Sequence, residues 1–302
     1  MLHHDPAPVK QVTPTNTTYD VSSKRGRRPA FVRKPEVNIK HSVNGSEKTE
    51  LFGLKYHNIT RSEAISRLRQ HIENRRFQSK SATLFFINVH SFQLAKKDAD
   101  FRHCINQADL VLPDGSGLSY AAKATGKPIK ENLNGTDFIP ALCKTLASEG
   151  RSVYLLGANT DTVNRCTQYI RKTYPGLKVL GGRSGYFFQD EHESIISEIN
   201  SLQPDLLLVA MGSPLQEKWV MRNASILDVG ICSAVGGLFD FWSGKYRRAP
   251  AWMRKAGIEW VYRFMQDPIT KWKRVFVEIP VFLFKIGYWS VRRRINPENA
   301  GV

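Results

Sequence analysis

The sequence has few cysteines, no long apolar run and no complete nucleotide-binding fingerprint, and each absence removes a class of protein. Its four cysteines, Cys104, Cys143, Cys166 and Cys232, are scattered and form no CxxC pair. No disulfide framework or zinc site is suggested, and a reducing compartment fits. No run approaches the ~20 apolar residues that span a bilayer. No apolar leader is visible near the N-terminus. A cytoplasmic protein is expected, either free or peripheral on the inner face of the cell membrane. GxxxxGK[ST] is absent, so a Walker-type site is unsupported. Gly115 and Gly117 begin a dinucleotide fingerprint, but Tyr120 occupies the third glycine position. Nicotinamide binding is unsupported for that reason.

Acidic residues are also scarce. Against 44 Lys and Arg stand 27 Asp and Glu, a formal net charge of +17. Such an excess favours a polyanionic partner: nucleic acid, anionic lipid or a phosphorylated substrate. Its distribution narrows the choice. Residues 241–302 carry 13 Lys or Arg against 4 Asp or Glu, interleaved with Trp, Phe, Tyr, Ile and Leu. No recognition-helix or RNP motif accompanies them, which argues against nucleic acid.

What is present is alternation of apolar runs and amphipathic stretches. Residues 1–48 are polar, Pro-rich and basic, and are expected to form a disordered tail. A strand is expected at Leu51–Leu54, then a helix capped by Thr60 and running to about Arg76. Thr83–Asn88 reads as a strand covered on both faces. A polar cluster, Asn88-Val89-His90-Ser91, opens a helical stretch to about Asn106. A strand ending at Asp114 and a helix to Ala124 follow, then a helix capped by Thr136. Strands at Ser152–Gly157, Leu177–Leu180, 205–212 and Ile231–Val235 alternate with helices over 159–174, 191–202 and from Pro214. Alternation of this kind means parallel strands with right-handed crossovers. The expected fold class is α/β, a Rossmann-like, largely parallel sheet flanked by helices, with a helical basic C-terminal appendage. The expected domains are a tail (1–48), a core (49–243) and the appendage (244–302).

Three strand ends meet glycine turns: Asp114-Gly115-Ser116-Gly117, Gly157-Ala158-Asn159 and Met211-Gly212-Ser213-Pro214. In open α/β sheets ligands bind outside the carboxyl ends of strands. Asp114 is therefore placed to bond a substrate hydroxyl or take its proton. The plain alternative for Pro-Asp-Gly is a turn. In Gly212–Trp219, Gln216 and Lys218 suit an anionic or hydroxyl-rich ligand, while the plain alternative leaves Glu217 and Lys218 facing solvent. Lys245, Arg247 and Arg248 form a cationic cluster able to clamp a diphosphate.

The ordered motifs Val111–Gly117, Asn134–Asp137, Tyr154–Gly157, Tyr174–Leu177, Gly185–Phe187, Gly212–Trp219, Gly236–Asp240, Arg248–Pro250 with Trp252-Met253, and Gly257–Arg263 form a larger pattern. It resembles the WecG/TagA/CpsF family of bacterial glycosyltransferases, over about four-fifths of the chain. The resemblance implies an inverting, metal-independent transfer from a nucleotide-sugar donor to a lipid-linked diphosphate acceptor, with no cofactor. The products of such enzymes are cell-surface polysaccharides. It makes Asp114 the general base and brings Gln216 to the donor sugar or acceptor. Arg248 and Arg263 would neutralise the leaving diphosphate, consistent with the lack of a DxD pair beside the expected site. The remaining expected substrate contacts are Asn88, His90, Gly115, Asn134, Thr136, Asp137, Gly157, Gly212, Lys218, Gly236 and Gly237. One departure stands out: the family carries Thr-Pro-Asn where this chain has Asn88-Val89-His90. His90 is thereby a second candidate base, and the donor sugar is left open.

From Ile269 to Arg294, Trp272, Val275, Phe276, Ile279, Phe282, Leu283, Ile286 and Trp289 recur at helical spacing among seven Lys and Arg. A basic, aromatic amphipathic helix suits an anionic membrane surface, and Pro280 is expected to kink or divide it. The alternative is packing onto the protein's own core or a sister subunit in a homo-oligomer. A catalytically silent membrane-associated scaffold, or a nucleic-acid-binding protein, are the rival functions.

Overall fold

The computed structural model describes residues 48–75 and 80–295, with the backbone alone at 274 and 289–295. The expected tail, up to residue 47, and the side chains of Trp289 and Arg292–Arg294 lie outside the described residues. Two short strands, β1 (Lys48–Leu51) and β2 (Leu54–His57), form an antiparallel hairpin. Leu51–Leu54 is thus a turn between strands rather than a strand. Phe52 and Gly53 take positive φ there, 48° and 84°, which reverses the chain in two residues.

The main sheet holds six parallel strands in the order β4-β3-β8-β7-β5-β6. They are β3 (Ala82–Ile87), β4 (Leu110–Pro113), β5 (Ser152–Gly157), β6 (Lys178–Arg183), β7 (Leu206–Ala210) and β8 (Ile231–Ala234). Side-chain alternation splits their apolar residues between two cores. Leu84, Leu112, Leu155 and Leu208 face one layer with α1 (Arg61–Glu73), α5 (Gly135–Ser148), α6 (Thr160–Thr173) and α9 (Leu238–Trp242). Phe85, Val111, Leu156 and Val209 face the other, with α2 (Val89–Lys97), α3 (Ala99–Gln107), α4 (Ser116–Ala124), α7 (His192–Leu202) and α8 (Leu215–Asn223). Burying each such side chain contributes about 1.5–3 kcal/mol, so both faces need cover, and near-continuous apolar strands follow.

The doubly covered α/β sheet agrees with the sequence expectation; several boundaries differ. The stretch to Asn106 is two helices, because Asp98 ends α2 and accepts from Phe101 N–H as the cap of α3. The α5 cap is Asn134, whose side chain accepts from Asp137 N–H, and Thr136 lies inside the first turn. β6 runs on to Arg183 through Gly181-Gly182. β2 lies against the β4 edge, where Val111 N–H donates to His57 Nδ1 at 3.0 Å. That occupies an edge group that would otherwise be open to another strand.

After α9 the chain is helical: α10 (Ala251–Lys255), α11 (Glu259–Gln266), α12 (Pro268–Lys273), a wide turn at Arg274–Glu278, and α13 (Ile279–Ile295). Division falls just before Pro280, which sits in the first turn of α13 where its missing N–H breaks no bond. Phe282 and Ile286 of α13 are buried in the second core. Phe276, Phe284 and Tyr288 are exposed. The stretch therefore packs on its own core along one stripe and presents another outward.

Candidate active site

The carboxyl ends of β3, β4, β7 and β8 surround a polar cleft of about 810 Å³, its open mouth included. Asn88, His90, Asp114, Thr136, Gly212, Gln216, Gly236, Gly237 and Arg263 line it. Nine of the expected site residues, drawn from six separate stretches, are thus brought together.

Asn88 serves two neighbours with one side chain. Its Oδ1 accepts from His90 N–H at 3.0 Å and Ser91 N–H at 3.3 Å, capping α2. Its Nδ2 points at Asp114 Oδ2, 3.5 Å away. Asp114 itself follows β4 directly, its N–H bonded to Ile87 O at 2.8 Å, so strand pairing sets where the carboxylate begins. Gly115 then turns the chain at φ +98°, a conformation L side chains rarely adopt, and α4 starts at Ser116. His90 Nδ1 lies 2.9 Å from a carboxylate oxygen of Glu278, in the wide turn before α13. In the tautomer whose Nδ1–H donates to Glu278, the Nε2 lone pair is left outside that contact.

Glu217 was not among the expected site residues, and it is only 2% exposed. Its Oε1 accepts from Ser213 Oγ at 2.7 Å and Gln216 Nε2 at 2.8 Å, while Oε2 has no hydrogen-bond partner. Burial pushes this carboxyl above the ordinary carboxylate range, against the opposing hydrogen bonds of Ser213 and Gln216. The plain alternative for Gly212–Trp219, with Glu217 facing solvent, is overturned. Gln216 is equally enclosed: its Oε1 accepts from Gly236 N–H at 3.1 Å. One amide thereby ties the β7 turn to the β8 turn.

The other expected residues sit around the cleft rather than in its lining. Gly157 lets β5 approach β7, since a Cβ there would lie 2.4 Å from Ala210 O. Lys218 turns away to Asp98, at 2.7 Å, and its side chain is mostly covered. Asn134 caps α5 and also bonds Asp137 Oδ2 at 2.8 Å. Arg248 meets Asp137 at 2.9 Å and Glu259 at 3.4 Å. Its Nη1 also donates to Thr136 O at 2.8 Å. Pro140, four residues on, has no N–H for that carbonyl, and Arg248 takes the vacancy. Arg263 is the cation of the lining, 3.0 Å from Glu259 and stacked 4.8 Å over the Phe241 ring.

The fold and the cleft define an α/β protein of the doubly wound class, with a polar cleft at the carboxyl ends of parallel strands. A family model described as "Glycosyl transferase WecG/TagA/CpsF family" matches residues 49–296. The chain belongs to that family and is a glycosyltransferase. It is 27% identical over 257 residues to the N-acetylglucosaminyldiphosphoundecaprenol N-acetyl-beta-D-mannosaminyltransferase of Staphylococcus aureus (strain MW2), covering 84% of this chain and 96% of that protein. The protein of the same name from Bacillus subtilis (strain 168) is 27% identical over 236 residues, covering 78% and 90%.

Proposed function

We propose that the protein is an inverting glycosyltransferase that works without a metal ion, moving an N-acetylhexosamine from a nucleotide-sugar donor to a polyprenyl-diphosphate-linked sugar. The observation that carries this reading is the position of Asp114 at the end of β4, on the same cleft as the β3, β7 and β8 turns. The names of the relatives supply the acceptor class and the kind of sugar. In the step itself, the Asp114 carboxylate takes the proton of the acceptor hydroxyl. That oxygen's lone pair bonds to the anomeric carbon, and the bond to the nucleotide diphosphate breaks with its electron pair going to the phosphate oxygen. Arg263 supports the departing charge, a role in which one preorganised donor contributes about 10²–10³ in rate.

A lipid-linked acceptor suits a reaction at a membrane surface. Among the described residues no helix is long and apolar enough to cross a bilayer. Trp252, Trp272, Phe276 and Phe284 are nonetheless exposed in a segment rich in Lys and Arg. That combination suits the interfacial region.

The test is incubation with a panel of UDP- and GDP-sugars and a lipid-diphosphate acceptor, following nucleotide diphosphate release. Acceptor-dependent release with one donor, lowered by about 10²–10⁴ in Asp114→Asn, is expected. Equal release by wild type and variant overturns the assignment of the base. A second reading is favoured by the His90–Glu278 contact, which orients His90 as a base. It predicts the larger loss in His90→Gln instead.

A further inference from the structure

A second cavity, about 580 Å³ with its open mouth included, lies between the β1–β2 turn, α2, α3 and α13. Its floor is aromatic. The Phe92 and Phe282 rings are 5.4 Å apart, and Phe52 stands edge-on to both at 6.2 and 6.1 Å. The rim is cationic: Lys96 on α2, Arg102 on α3 and Lys285 on α13. No acidic residue lines the cavity. Among the described residues none of the three cationic groups joins an ion pair or a hydrogen bond. Burial, then the neighbouring Lys96 charge, hold the Lys285 ammonium below its usual range. Like charges gathered without a counter-ion raise the energy of the folded protein, and a bound anion relieves it.

Charge and shape together select the occupant. The chain's own N-terminal stretch is a poor counter-ion, since residues 1–47 hold 8 Lys or Arg against 4 Asp or Glu. Inorganic phosphate would satisfy the rim and leave the aromatic floor unused. An uncharged apolar molecule would do the reverse. An amphiphile with a phosphate head uses both. Beside the cavity, Val281, Phe284 and Tyr288 stand exposed at spacings of three and four on α13, a continuous apolar stripe.

We propose that this cavity seats one anionic phospholipid, its phosphate held by the cationic rim and the start of its acyl chains lying on the aromatic floor and running over the exposed stripe of α13. The inference rests on the reading that the enzyme works at a membrane face, and it adds a discrete lipid site formed jointly by the core and the C-terminal helix.

The test uses the full chain and dihexanoyl phosphatidylglycerol below its micelle concentration, followed by titration calorimetry. Wild type is expected to bind one molecule. The variant Lys96→Gln/Arg102→Gln/Lys285→Gln is expected to bind about a hundredfold more weakly, since each cation near anionic lipid contributes roughly fivefold. A charge-matched control, Lys144→Gln/Lys172→Gln/Lys178→Gln, alters exposed lysines of α5, α6 and β6 and should stay within about twofold of wild type. Equal weakening of the two triple variants overturns the proposal. So does equal binding of dihexanoyl phosphatidylcholine or of inorganic phosphate. Tighter binding of farnesyl diphosphate, lost in the same triple variant, would assign the cavity to an isoprenoid diphosphate and also overturn it. Sugar transfer to a short-chain, water-soluble acceptor should be unchanged in the cavity variant. If wild type itself lacks that transfer, the proposed function fails while the lipid site stands or falls on its own titration.

Discussion

The two ends of the sheet use carboxylates in opposite ways. At the amino ends, Asp109 accepts from Thr83 N–H at 3.0 Å and Thr83 Oγ1 at 2.8 Å, and pairs with Lys80 at 3.1 Å. Asp205 likewise accepts from Ser152 N–H and Oγ at 2.8 and 2.9 Å. Each carboxylate fastens the first residues of a strand. Burial alone would raise the Asp109 carboxyl, but Lys80 and the Thr83 donors outweigh it and hold it below the ordinary range. At the carboxyl ends, Asp114 lines an open cleft and Glu217 lies beneath it with one oxygen unpartnered. Burial wins there, and the Glu217 carboxyl is raised. Polar groups saturated by the chain hold the fold, whereas Glu217 keeps one oxygen without a hydrogen-bond partner beside a cavity.

This contrast can be broken by substitutions at each end. Asp114→Asn should have the largest effect on turnover, a fall of about 10²–10⁴ in kcat. Its melting temperature should stay within a few degrees of wild type, which differential scanning calorimetry would check. Arg263→Gln should lower kcat by about 10²–10³, with the loss relieved least for donors whose diphosphate is the poorer leaving group. Steady-state kinetics across donors would measure it.

Glu217 separates a neutral role from a charged one. Acting as a neutral acid, it should tolerate Glu217→Gln within about fivefold in kcat/KM. Glu217→Ala leaves Ser213 and Gln216 unsatisfied and should lose about tenfold or more. If Glu217→Gln is as damaging as Glu217→Ala, the carboxyl works ionised. The stability consequence has a definite sign. A carboxyl raised in the folded state leaves folding unpenalised below its unfolded value near 4.5, and stability is lost as pH climbs through the folded value. Glu217→Gln should therefore gain melting temperature over wild type at pH 8, and that gain should vanish near pH 4.

Asp109→Asn should have the smallest effect on activity, with kcat within about twofold. Its cost appears in stability, about 1–3 kcal/mol for the unsatisfied strand donors. The lowered Asp109 carboxyl stabilises the fold above its unfolded value and loses that contribution as pH falls through the folded one. Acid unfolding of the variant should accordingly be shallower below pH 4 than that of wild type. Chemical denaturation at several pH values would resolve both.

Much of this was legible along the chain. Asp114 stood out because an apolar strand ran into Pro-Asp-Gly, and the β3–β4 pairing ends at the residue just before it. Asn88 was legible as the opening of a helix, although its amide contact with Asp114, 26 residues away, was not. Glu217 was invisible because it sits between Gln216 and Lys218 in a polar helix opening. Its burial comes from α8 packing on α3 and on the strands, contacts that local spacing does not encode. Lys218 and Arg248 read as ligand cations because their carboxylate partners, Asp98 and Asp137, lie over a hundred residues away. Pro140 was the overlooked signal for Arg248: a proline inside a helix leaves one carbonyl seeking a donor.

Proton transfer from the acceptor hydroxyl to Asp114 is read out by single-turnover transfer at saturating donor and acceptor. Wild type, Asp114→Asn and His90→Gln would be compared. A loss of about 10²–10⁴ in the Asp114→Asn rate with donor affinity unchanged, and a smaller loss in His90→Gln, is expected. An Asp114→Asn rate within about threefold of wild type would contradict it.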